Sequence, residues 1–253
     1  MKTIALHRGW PAALLAAFAG TGAHALTAEQ VYAKVSPSVW RVVTYDADNL
    51  PLGQGSAVVV GSEAVVTNCH VLAKAKRVAV KREKESLEAK LAMWDVKRDL
   101  CQLRVTGLKA PAVWIANAGN VTVGQNVFAV GNPKGLELTM SAGLVSSLRR
   151  NTAGQLVLIQ TSAAISGGSS GGGLFDVQGN LIGLTTLGSI TGDAQNLNFA
   201  IPAEWVRELP ARHAAAAASA AAAGSHATAA AGGAAAPAAA AGRTFGPSTD
   251  TTR

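Results

Sequence analysis

Ser170 stands in the run Gly168-Ser169-Ser170-Gly171-Gly172. A serine hydroxyl attacks an acyl carbon only if a base takes its proton and something receives the charge that develops on the carbonyl oxygen. Glycines on both sides admit a substrate close to the hydroxyl and open backbone conformations closed to other residues. The amides of Gly168 and Ser170 can then point at one carbonyl oxygen. Glycine-serine runs also occur in flexible linkers, but this one lies between two strand-like segments. The base would be His70, the one histidine between residues 26 and 210. Asp99 precedes Leu100-Cys101-Gln102-Leu103-Arg104-Val105, an alternating strand pattern. From there its carboxylate can accept the imidazole Nδ1 proton, leaving Nε2 to take the serine proton. A turn or strand-initiating aspartate gives the same local pattern, and Asp95, in an expected turn, is the rival acid. One imidazole and two thiols fall short of the ligand set of a zinc site. The chemistry expected is acyl transfer through a covalent intermediate, with no metal and no other cofactor.

These side chains need a scaffold, and the punctuation of the chain describes one. Thr27-Ala28-Glu29-Gln30 has the form of a capping box, and a short helix should follow and end before Pro37. Short β-rich runs then alternate with Gly, Asn and Pro turns: Val39–Thr44, Ser56–Val60, Ala64–Thr67, Leu100–Val105, Asn126–Val130, Leu156–Gln160 and Leu181–Leu187. Many short strands with no helical periods between them predict an all-β sandwich or barrel. The charged stretch from Lys74 to Lys90 reads as a solvated strand edge and loop. Pro202 can open a helix containing Ala203-Glu204-Trp205-Val206-Arg207, with Pro210 near its end.

The two ends of the chain differ from this middle. A weakly basic start, an apolar stretch from about Trp10 to Phe18 and Ala23-His24-Ala25 read as a secretory signal peptide over residues 1–25. The apolar run is too short for a lasting anchor. Removing that segment takes away two basic groups and no acid, so the formal charge falls from +7 to +5. No nucleic-acid-binding module accompanies this charge, so no nucleic-acid partner is expected. Residues 211–253 collapse into Ala, Gly, Ser and Thr and read as a disordered tail, transiently helical in parts.

Thr67-Asn68-Cys69-His70-Val71, Asp99-Leu100, Gly131-Asn132-Pro133, Gly143-Leu144-Val145-Ser146, Gly168-Ser169-Ser170-Gly171-Gly172 and Phe199-Ala200-Ile201-Pro202 stand in the order of the motifs of the HtrA family. That family comprises trypsin-like serine proteases of the bacterial envelope and of organelles. The resemblance covers about residues 36–207. It implies two perpendicular six-stranded antiparallel β-barrels in a chymotrypsin-like double barrel, the first over about residues 38–110 and the second over about 118–202. His70, Asp99 and Ser170 would form the triad between them. Gly168, Ser169 and Ser170 would supply the oxyanion hole. The family usually has Asn at the position of Ser169, Pro at that of Gly173 and Asp at that of Ser162. Gly173 should therefore loosen the turn. A PDZ domain usually follows in the family, and none fits in residues 211–253.

The same resemblance carries Cys69 and Cys101, which flank His70 and Asp99, close enough together to form a disulfide. The pocket for the residue before the scissile bond would be walled by Ala164, Ile165, Thr185, Thr186 and Leu187. Ala164 at its base, where cleavage after Lys or Arg calls for an acid, implies a preference for small or medium aliphatic residues. The expected partners are protein or peptide substrates, met in the periplasm or outside the cell. The chain would be a monomer or a trimer, with Tyr32 and Trp40 as candidate contacts, although ordinary core packing is the commoner role for such side chains. The alternative is a protease-fold binding or scaffolding protein whose hydroxyl is never activated.

Overall fold

In a computed structural model, residues 25–135, 138–186 and 197–231 are described. The signal segment up to residue 24, Leu187 and residues 232–253 lie outside them. Strands β1 (Val39–Tyr45), β2 (Pro51–Gly61), β3 (Ala64–Thr67), β4 (Arg77–Arg82), β5 (Glu85–Asp95) and β6 (Leu100–Arg104) close into a barrel in the order β1-β2-β3-β6-β5-β4. Strands β7 (Asn126–Gly131), β8 (Thr139–Arg150), β9 (Leu156–Thr161), β10 (Gly173–Phe175), β11 (Leu181–Thr186) and β12 (Asn198–Pro202) close a second one, β7-β8-β9-β12-β11-β10. All pairings within the barrels are antiparallel.

Three apolar clusters explain why the strands are buried on both faces. Trp40, Val42, Ala57, Val59, Val65, Val80 and Leu103 fill the first barrel. Val127, Ala129, Val145, Ile159, Leu174 and Ala200 fill the second. Val39, Val58, Val66 and Leu100 of the first barrel meet Phe128, Val130, Phe175, Leu181, Leu184 and Ile201 of the second in a shared core. Successive residues of a strand point to opposite faces. In Ala57-Val58-Val59, the middle residue therefore goes to the junction and its neighbours go inside.

Helix α1 (Ala28–Val35) begins as its sequence indicates. The Thr27 hydroxyl accepts from the Gln30 N–H, and the Gln30 side chain accepts from the Thr27 N–H. Val31 and Val35 enter the shared core, and the Leu26 N–H donates to Val177 O at 2.8 Å. Each of the strand-like runs read from the sequence lies in a strand wherever it is described, except that β6 stops at Arg104, one residue short of Val105. The Lys74–Lys90 segment, by contrast, holds β4 and most of β5, paired from Val78↔Ala89 to Arg82↔Glu85. Val80 points inward between outward Lys and Arg, so the charges hide a strand period. The second helix, α2, spans Trp205–Ala231 and runs past Pro210, where an end was expected. A proline this close to the start removes only one helical hydrogen bond, and the alanines that follow have the highest helix propensity.

Candidate active site

His70 and Asp99 are brought together by the pairing of β3 with β6, in which Thr67 lies opposite Cys101. A short 3-10 turn, Cys69–Leu72, follows β3 and presents His70. Another, Val96–Arg98, ends on Asp99 in the left-handed conformation at φ 53°. Asp99 then holds His70 twice. Its Oδ1 accepts the His70 backbone N–H at 2.9 Å, and its Oδ2 lies 2.7 Å from Nδ1. With a carboxylate accepting at Nδ1 the proton resides there, and Nε2 keeps its lone pair. The Asp99 carbonyl accepts from the Asn68 side-chain amide at 3.0 Å and from the Cys69 N–H at 3.3 Å. Thr186 Oγ1 donates to Oδ2 at 3.4 Å. Cys69 and Cys101 form a disulfide with Cα atoms 5.0 Å apart.

Ser170 belongs to the loop before β10 and is 3 % exposed. Its Oγ has no hydrogen-bond partner among the described residues, so the bond to His70 is not made in this resting arrangement. His70, Ser170 and Gly168 nevertheless line one cavity of about 290 Å³, together with Leu52, Gln54 and Val71. Catalytic hydrogen bonds often tighten only when substrate is present.

The loop is pinned from several sides. Gly167 O accepts the Lys134 N–H at 2.6 Å. In a trans peptide the N–H points opposite the carbonyl, so this bond turns the Gly168 N–H away from Lys134. Gly168 and Gly171 both have positive φ, and a β-carbon on Gly171 would lie 2.2 Å from Ser56 O, so only glycine fits there. The Ser169 N–H is spent on Ser166 O at 2.9 Å. That removes Ser169 from the expected oxyanion donors and leaves Gly168 and Ser170. Ser169 O is held by Thr185 Oγ1 at 2.6 Å and by the Gly172 N–H at 2.9 Å.

Ser56, on β2 of the first barrel, ties this loop across the junction. Its N–H donates to Ser170 O at 2.8 Å, and its Oγ donates to Gly168 O at 2.9 Å and accepts from the Asn132 N–H at 2.8 Å. This role is invisible in the sequence, because nothing local distinguishes Ser56 from other serines in glycine-rich runs. The departures at Ser162 and Gly173 are accommodated. Ser162 Oγ accepts the Leu144 N–H at 2.9 Å. Gly173 is paired with Val130 and Leu184, and a β-carbon there would meet the Phe175 ring at 2.3 Å. The expected loosening gives way to a glycine that seats a buried phenylalanine.

The expected pocket residues divide. Ala164 and Thr185 line a cavity of about 130 Å³ with Val130, Thr139, Ser141 and Ser166, and among the described residues no charged side chain borders it. Ile165 packs against the second barrel's interior, and Thr186 faces Asp99. The rival acid, Asp95, points elsewhere, to Arg212 and Arg98. Burial acts to raise its carboxyl, but the Arg212 hydrogen bond and charge, aided by Arg98, hold it below the ordinary value. Tyr32 donates to Leu138 O at 3.5 Å, and Trp40 is 2 % exposed inside the first barrel, so it offers no surface for a second copy.

Comparison with known proteins agrees with this architecture. A "Probable periplasmic serine endoprotease DegP-like" of Ectopseudomonas mendocina is 36 % identical over 155 residues, covering 59 % of this chain and 33 % of that protein. "Protease Do-like 1, chloroplastic" of Arabidopsis thaliana is 35 % identical over 174 residues, covering 64 % and 40 %. The chain thus spans about a third to two-fifths of the length of these relatives. Among solved structures, "HtrA-type protease AlgW with tripeptide" superposes with a TM-score of 0.64 at 33 % identity, over 71 % of this chain and 61 % of that one. The trypsin-like peptidase domain family matches residues 55–184, about half of the chain, and this chain belongs to that family.

Proposed function

We propose that the protein is an exported serine endopeptidase in which His70, Asp99 and Ser170 are the triad. The observation that carries this reading is the doubly bonded His70–Asp99 couple facing Ser170 and Gly168 across one cavity. Ser170 Oγ attacks the peptide carbonyl while His70 Nε2 takes its proton, and Asp99 stabilises the imidazolium. The Gly168 and Ser170 amides receive the oxyanion. Collapse expels the amine with the proton from His70, and water then hydrolyses the acyl-enzyme by the same steps. The uncharged cavity beside Ala164 supports cleavage after small or medium aliphatic residues of protein or peptide substrates. The signal-like start supports export to the periplasm or beyond.

One observation favours a second reading, a binding protein with a silent hydroxyl: Ser170 Oγ is unpartnered. A fluorophosphonate probe separates the two. Labelling of the wild type that vanishes in Ser170→Ala supports the protease, and an unlabelled wild type supports the binder. The same substitution should lower turnover by about four orders of magnitude.

A further inference from the structure

We infer that the start of α2 is the positioning element for Asp99, acting through Asp95 and Arg98. The inference rests on the triad reading above. Asp99 ends a 3-10 turn of three residues in a left-handed conformation, which aspartate tolerates better than most side chains but which is still less favourable than the right-handed one. On the β6 side, the Asp99 carbonyl is tied to Asn68 and Cys69. On the other side the turn is gripped by α2. Arg212 Nε donates to Asp95 Oδ2 at 2.5 Å, and Arg98 pairs with Glu208 at 2.5 Å. The Arg98 guanidinium lies over the Trp205 ring, 4.5 Å from its centroid. His213 meets Trp94 edge-on, with ring centroids 4.3 Å apart.

The spacing of Trp205, Glu208, Arg212 and His213 puts them on one face of a helix. That face therefore carries the ion pairs and ring contacts described between α2 and the residues just ahead of Asp99. Exposed ion pairs are individually weak, but the Asp95 side chain is only 9 % exposed and is clasped between two guanidiniums. Val206 and Leu209 anchor the same helix in the shared core. The chain leaving the second barrel thus returns to the first and sets the carboxylate that orients His70. Small displacements of such a group are costly to turnover, because the reacting atoms must be aligned before reaction.

The test uses the full chain and a peptide p-nitroanilide with Val before the scissile bond. Arg212→Ala should lower kcat roughly tenfold with KM nearly unchanged, the pattern of lost transition-state geometry. Arg212→Lys should recover most of it, and Glu208→Gln should lose less in the same direction. In a Ser170→Ala background, nitrogen NMR of the His70 imidazole should move from a pure Nδ1–H form toward a tautomer mixture when Arg212 is Ala. A variant that lowers Tm but leaves kcat and the His70 signals unchanged would overturn the inference. Should Arg212→Ala fail to fold, Glu208→Gln decides by the same two readouts. An unlabelled wild type would refute the protease reading alone, since the His70 signals are read without turnover.

Discussion

Ser56 lies outside the proposed triad, yet it holds the carbonyls of Ser170 and Gly168 at once. Ser56→Ala removes the hydroxyl bonds and leaves the backbone bond to Ser170. Losing an oxyanion donor outright costs a hundredfold or more; loosening one should cost about tenfold in kcat. The expected signature is weaker binding of a peptide boronic acid with KM little changed, and an equal loss in both would point to a folding defect. The residues of the proposed triad stood out in the sequence, because a glycine-flanked serine, one histidine and an aspartate opening a strand are uncommon together. Their supports did not. Ser56, Thr185 and Lys134 act through close approach between segments distant in sequence, and Thr186, expected as a pocket wall, turned out to bond Asp99.

The β3–β6 pair with its disulfide fixes His70 and Asp99 relative to each other, and on the inference above α2 adds to it. Replacing both Cys69 and Cys101 by serine opens a crosslink between residues 32 apart. Unfolding in urea should show about 3–4 kcal/mol less stability, by loop-closure entropy. The grip of α2 should fade in acid. The Asp95 carboxyl is depressed by Arg212 and Arg98, so its contribution is complete above the ordinary value of 3.8 and is lost as pH falls through the folded one. Glu208 and His213 border the same contact. Urea midpoints of the wild type and Asp95→Asn should therefore converge below about pH 3.8, and a constant gap would contradict the assignment. β6, with its alternation, and β3, a short run rich in β-branched residues, were readable from sequence. β4 and β5 were hidden by their outward charges, and β10, only three residues long, is defined by its neighbours rather than by its own composition.

At the scale of the whole molecule, the barrels and their order along the chain follow from punctuation and motif order, whereas the long α2 does not, because alanine-rich sequence suits a helix and a loose tail alike. If the signal peptide is removed after Ala25, the new first residue is Leu26, which is already bonded to Val177 and packed on the shared core. Intact mass of exported protein should match a chain beginning at Leu26, and a mass retaining residues 1–25 would refute that processing. Each barrel is made from consecutive strands, β1 to β6 and then β7 to β12. The first can therefore close during synthesis, before the second exists. Closing it does not create a working site, for Ser170 and the amides around it come from the later half, and each half leaves its side of the junction bare until the other arrives. On the proposed triad, reactivity is thus the last property the nascent chain acquires: it appears when two sheets dock, and a half-made molecule has no competent serine to turn on itself.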